Sequence, residues 1–393
     1  MARAQVIVVG LGAMGSAVCR ELAARGVAVT GIDRHHPPHV HGSTHGDTRI
    51  TRLAIAEGPQ YFALARRSHE RWRTLEAETG QQVLHQVGVL MISVAGSPFI
   101  ASVRDVAARF AIAHETLDAA ELRERFPMFA VGEDAVAHLE PEGGYTRPEA
   151  AVAAQLALAR RDGATLRLGE TVTGWSASAG GVTVRTAGGQ TLAGEQLVLC
   201  AGPWLPQLLD PELGACFAVY RQQLHWFSIA SGYEALAAMP AWIYDPLGHD
   251  AGERPGAAHL RAFYGFPAID GLGGGLKLGA EQYEARHVPD DRQHPASAAE
   301  VAELYETLVR DRLLGLSPHA VRTASCLYTC TPDSHFVIDR HPEHPAVTLV
   351  SPCSGHGFKH SPAIGEAIAQ RLTGEPPSPG VDLAPFALAR LLS

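Results

Sequence analysis

Lysine is nearly absent from this chain. Of 32 basic residues among 393, only Lys277 and Lys359 are lysine, and the rest are arginine. An ammonium is a compact charge whose pKa shifts readily on burial, so the two exceptions are candidates for chemistry. Cysteine is also sparse. Cys19, Cys200, Cys216, Cys326, Cys330 and Cys353 are scattered with no CxxC pair, which excludes a disulfide framework or a zinc site and points to the cytoplasm. Positive charge is in deficit: 41 acidic residues leave a net charge of −9, which argues against a nucleic-acid partner. No apolar run reaches the roughly 18 residues of a membrane span, so no membrane partner is expected. Met1-Ala2-Arg3-Ala4-Gln5 leads straight into a strand without the apolar stretch of a signal peptide, and Leu391-Leu392-Ser393 is no peroxisomal address.

What is present begins with a nucleotide-binding pattern. Val6–Val9 reads as a buried strand, followed by Gly10-x-Gly12-x-x-Gly15 and a helix over Ser16–Arg25 that Gly26 ends. Val27–Ile32 is a second strand, closed by Asp33, 18 residues past Gly15. In such a unit the glycines allow close backbone approach to a pyrophosphate, and the acid takes ribose hydroxyls. The pattern alone does not separate NAD from FAD. Further along, helices are expected over 59–80, 101–112, 119–125, 148–163 and near 298–313. A strand is expected over Val83–Ser93, and strands with Gly turns over 165–200. Ser361 reads as the N-cap of a last helix, with Pro362 at its first position and Gly374 at its end. With no repeat and no low-complexity linker, two kinds of domain are expected to interleave.

The loop from His35 to His45 holds five histidines, but Pro37 and Pro38 break any helical face and no cysteine supports a ligand set. No metal is expected there.

Several blocks carry a more specific signal. They are Gly42-Ser43-Thr44-His45-Gly46-Asp47-Thr48-Arg49-Ile50-Thr51-Arg52, then Tyr264-Gly265-Phe266-Pro267 with Gly275-Leu276-Lys277-Leu278-Gly279. After them come Cys326-Leu327-Tyr328-Thr329 running on to Asp339, and Ser354-Gly355-His356-Gly357-Phe358-Lys359. Together they resemble the monomeric sarcosine oxidase and N-methyltryptophan oxidase family of the D-amino-acid oxidase superfamily. The resemblance implies an α/β fold in which a Rossmann-like FAD-binding domain (1–80, 148–212 and 325–393) interleaves with a β-rich substrate domain (81–147 and 213–324). It implies FAD rather than NAD, joined covalently to Cys326, with Cys330 a competitor on sequence alone. Gly10, Gly12, Gly15, Asp33, Ser43, Thr44, Thr48 and Arg49 would bind the cofactor. So would Ala201, Gly202, Trp204 and the Gly355–Lys359 block.

By the same resemblance, Arg52 and Lys359 hold a substrate carboxylate, and Tyr264 and Tyr328 line the pocket. Lys277 serves oxygen over the flavin face, with Arg49 a second basic group nearby. One departure stands out. The family commonly reads Lys-Leu-Gly-Tyr-His, its histidine touching the substrate, whereas this chain reads Lys277-Leu278-Gly279-Ala280-Glu281. Glu281 would favour an amine with a second cationic or hydroxyl group and puts sarcosine in doubt. The expected activity is oxidation of a small carboxylate-bearing amine, with O2 reduced to H2O2, by a monomer. Two other readings stay open: a flavin amine dehydrogenase with another electron acceptor, and a flavoprotein without turnover.

Overall fold

A computed structural model describes residues 4–249, 262–291 and 294–392. The chain ends Met1–Arg3 and Ser393, weighed above as targeting segments, lie outside the described residues, as do 250–261 and 292–293 of the β-rich block.

The first sheet grows around strand Ala4–Val9. It runs parallel to Val29–Asp33 on one side and to Thr191–Leu199 on the other. Thr165–Leu168 extends the first side in parallel, and Val347–Ser351 pairs in parallel with Thr191–Leu199. A parallel strand covered on both faces should be continuously apolar, and Val6, Ile7, Val8 and Val9 are all buried. An antiparallel ribbon, Val172–Ser178 with Gly181–Thr186, completes the sheet's far edge.

Helix Ala13–Ala24 packs against helices Pro148–Arg161 and Ser361–Thr373. The last contact needs a glycine, because a Cβ on Gly365 would lie 2.6 Å from that of Ala17.

The second sheet has eight strands, ordered Leu316–Cys330, Ala218–Ile229, Leu276–Ala280, Phe263–Gly265, Ala241–Tyr244, Val89–Val94, Ala135–Glu140 and Glu115–Asp118. All neighbours are antiparallel except Ala241–Tyr244 beside Val89–Val94. A three-stranded sheet of Arg49–Thr51, Gly144–Thr146 and Leu84–His85 carries the arginine loop. Among the described residues no helix is long and apolar enough to cross a membrane.

Several expected elements differ in detail. The strand expected over Val83–Ser93 is two, Leu84–His85 and Val89–Val94, because the chain turns at Gly88 with φ +81°. The helix expected from 59 opens as a 3-10 turn, Pro59–Tyr61, and becomes α over Phe62–Thr79. That expected over 101–112 starts earlier, at Pro98, capped by Ser97. Ser361 is no N-cap. The 3-10 turn Phe358–His360 runs directly into helix Ser361–Thr373, so Ser361 is already helical and its buried hydroxyl has no hydrogen-bond partner. Gly374 ends that helix in the left-handed region as expected.

Candidate active site

One long cavity of about 610 Å³ joins the two sheets. At one end stand Asp33, Arg34, Glu170 and Trp204; the middle passes Gly10, Gly12, Ser43 and Thr44; the far end is walled by Arg52, Tyr264, Glu281 and Lys359.

The middle is shaped for close backbone approach. Gly10 has φ +88°, and a Cβ there would lie 2.4 Å from the Cys200 carbonyl oxygen. A Cβ on Gly15 would lie 1.7 Å from the Gly10 oxygen, so Gly15 closes the turn without reaching the cavity wall. Gly12 gives helix Ala13–Ala24 no side-chain cap, which leaves first-turn amides for an anionic ligand. Asp33 is already anchored by the amides of Leu11 and His35, both at 2.7 Å, while still lining the cavity. Ala201, Gly202 and Trp204 line it too. A dinucleotide of FAD's length fits this run of open glycines, free amides and acid.

Charge dominates the far end. Arg49 donates to the carbonyls of Thr48 at 2.8 Å and Ser43 at 2.9 Å. Arg52 is 4% exposed and pairs with Glu57 at 3.0 Å. Lys359 is also buried and donates to the His356 carbonyl. Burial alone would raise the Glu57 carboxyl, but Arg52, His356 and Lys359 outweigh it and hold the group down at about 2. Burial, and then Arg52, lowers the Lys359 ammonium to about 7 against the partial support of Glu57.

Tyr264, pushed up to about 12 mainly by burial, shares a hydrogen bond with Tyr328. Glu281 accepts from the Tyr283 hydroxyl at 2.7 Å and lies against the Ser354–Gly355 turn, where a Gly355 Cβ would be 2.8 Å from its carboxylate. His356, Gly357 and Phe358 continue that wall.

Besides Gly15, three expected site residues lie behind the wall rather than on it. The Lys277 ammonium donates to the carbonyls of Gly46 and Thr48 and to the Thr48 hydroxyl, over the faces of Phe266 and Trp226. Burial, with Arg49 next, drives its pKa well down. Thr48 is buried beneath it. Cys326 is 1% exposed; burial raises its thiol while Arg49 and Lys277 oppose that rise. Cys353, by contrast, lines the cavity.

Sequence reasoning missed Cys353, Glu57, and two carboxylates that hold the arginine loop. Glu149 accepts the amides of Gly46 and Asp47 at 2.6 and 3.1 Å, and Glu140 those of Leu53 and Ala54 at 2.6 and 2.9 Å. Glu140 opens the segment Glu140-Pro141-Glu142-Gly143-Gly144, a turn-forming composition that could have drawn attention to it. The histidine-rich loop stacks His35 on His41 at 4.1 Å, and no metal-ligating cluster occurs among the described residues.

A pH dependence follows from Lys359. The ammonium is the charged form below its pKa, so its attraction for a carboxylate is present below about 7 and fades above it. Affinity for a small carboxylate lacking an amine, such as propionate, should therefore weaken as pH rises through about 7. Titration by flavin difference spectra would measure this, and Lys359→Met should flatten the profile.

The family model for FAD dependent oxidoreductases matches residues 5–371. The monomeric sarcosine oxidase of Streptomyces avermitilis is 39% identical over 373 residues, 94% of each chain. The N-methyl-L-tryptophan oxidase of Citrobacter koseri is 32% identical over 98% of each. Among solved structures, NikD, an unusual amino acid oxidase essential for nikkomycin biosynthesis, superimposes with a TM-score of 0.82 at 26% identity, covering 98% of both chains. With glycine turn, acid and cation-lined cavity in place, and with this agreement along nearly its whole length, the chain belongs to the FAD-dependent oxidoreductase family.

Proposed function

We propose that this protein oxidises the carbon–nitrogen bond of N-alkyl amino acids, giving an imine that hydrolyses to aldehyde and amine, with O2 reduced to H2O2. The observation that carries this reading is the pairing of two buried cations, Arg52 and Lys359, at the end of a cavity that begins at a dinucleotide cradle. Bound FAD supplies the two-electron acceptor. Gly10, Gly12, Ser43, Thr44 and the Gly355–Lys359 wall would hold it.

Arg52 and Lys359 grip the substrate carboxylate, which orients the neighbouring carbon and nitrogen. The Glu57 carboxylate gives way or is shared when that anion arrives. Tyr264 and Tyr328 exclude water from the amine, and Glu281 faces its substituents. Lys277 supports charge that develops on oxygen, and Arg49 lies beside it. Cys326 is the attachment point. The division of the chain into FAD and substrate domains belongs to the same proposal, although the boundary expected at 324/325 falls inside strand Leu316–Cys330 of the second sheet. A monomer as the working unit belongs to the same proposal. The scattered cysteines, with no CxxC pair, favour a reducing cytoplasm as its compartment.

The reading is tested by anaerobic mixing of holoenzyme with N-methyl amino acids. Bleaching of the flavin, followed by peroxide on admission of air, is the expected result; bleaching without peroxide would favour the dehydrogenase alternative. Lys277→Met should slow oxygen consumption by roughly 10²–10³, the scale of one well-placed electrostatic stabiliser, and affect anaerobic bleaching far less. Equal losses in both would assign Lys277 to structure. For Cys326, acid precipitation should leave the yellow colour in the pellet, and Cys326→Ala should release it to the supernatant.

A further inference from the structure

Position 281 lacks the histidine that resembling proteins set against the substrate. An imidazole reaches the same cavity from another part of the chain. Asp245 follows strand Ala241–Tyr244 and is 3% exposed. Its carboxylate is fixed by the amides of Leu247, Gly248 and His249 at 3.2, 3.0 and 2.6 Å. The Ser93 hydroxyl approaches at 3.4 Å. His249 Nδ1 lies 2.9 Å from Asp245 Oδ1. A carboxylate that accepts from Nδ1–H sets the tautomer, leaving Nε2 as a hydrogen-bond acceptor. Nε2 makes no hydrogen bond among the described residues, and both residues line the cavity.

The pair sits at the substrate end rather than the dinucleotide end. Ile243, two residues before Asp245, is registered opposite Tyr264. A Cβ on Gly248 would lie 3.5 Å from that of Ser97. Ser97 stands two residues before Phe99, the ring over which Arg52 packs at 5.9 Å. This wall therefore adjoins the Arg52 end of the cavity.

We propose that His249, oriented by Asp245, is a specificity-determining residue that accepts a hydrogen bond from a hydroxyl or ring N–H in the substrate's α-substituent. The inference rests on the N-alkyl amino acid reading above and names the substrate class within it. A substrate without that donor leaves a polar nitrogen unpaired once water is excluded, and sites built around such a bond discriminate strongly against analogues lacking it. Sarcosine, with no α-substituent, is such a substrate.

The test uses holoenzyme and two substrate pairs that each differ by one hydroxyl: N-methylserine with N-methylalanine, and N-methyltyrosine with N-methylphenylalanine. kcat/KM comes from anaerobic flavin bleaching and steady-state turnover. Wild type should prefer the hydroxyl partner of at least one pair by about tenfold or more. His249→Phe, which keeps a ring but no acceptor, should reduce that preference towards unity, mainly through KM. His249→Gln, which keeps an acceptor, should retain part of it. His249→Leu replaces His249→Phe if the latter does not retain flavin. An unchanged preference in these variants, or none in wild type for either pair, overturns the inference while leaving the amine-oxidation reading intact. Failure of every N-methyl amino acid to bleach the flavin overturns both.

Discussion

The arginine loop depends on charged side chains, two of them buried, that act on its backbone. Residues 42–57 contain only one short strand, Arg49–Thr51, yet they carry both arginines of the site. The Lys277 ammonium gathers the carbonyls of Gly46 and Thr48, while Glu149 and Glu140 gather the amides of residues 46–47 and 53–54. Hydrogen bonds to charged groups contribute about 1.5–3 kcal/mol each, roughly twice a neutral bond. An irregular segment held this way has one conformation because the anions and the cation satisfy opposite ends of its peptide groups. Removing either kind leaves peptide groups of the loop unpaired, a loss of about 1–3 kcal/mol for each buried group. Lys277 therefore has a structural duty whatever its part in oxygen chemistry.

The same economy of charge explains the substrate end. Two cations within a low-dielectric pocket repel each other, and burial lowers the Lys359 ammonium accordingly. Glu57 offsets this by pairing with Arg52. A substrate carboxylate thus meets a site partly neutralised by an internal anion, and binding is an exchange of partners at Arg52. Exchange of this kind favours ligands that bring interactions beyond the carboxylate itself, which is where Glu281 and the Asp245–His249 pair stand.

Much of this was legible in the sequence. The glycine spacing placed the cradle, and the scarcity of lysine singled out Lys277 and Lys359, both of which are buried. Local patterns could not reveal which acids face these cations. Glu140 and Glu149 hold the loop from about ninety to a hundred residues away. Glu57 looks like an ordinary loop acid until Arg52 is folded against it. Ser361 misled because a Ser-Pro pair has the composition of a helix start, and only the preceding 3-10 turn shows that the helix has already begun. Depth was equally invisible: Thr48 and Cys326 belong to blocks at the site, but their side chains lie one layer behind its wall.

The sheet order has a consequence for synthesis. Strand Ala4–Val9 needs Thr191–Leu199 as its parallel neighbour, and that strand in turn needs Val347–Ser351. Helix Ala13–Ala24 is covered on one side by Ser361–Thr373, near the chain's other end. Pairings of such sequence separation form slowly, because loop closure precedes the contacts that reward it. A ribosome must therefore release almost the entire chain before the dinucleotide cradle is complete. Until then the apolar first strand has only Val29–Asp33 beside it, and its other edge stays open.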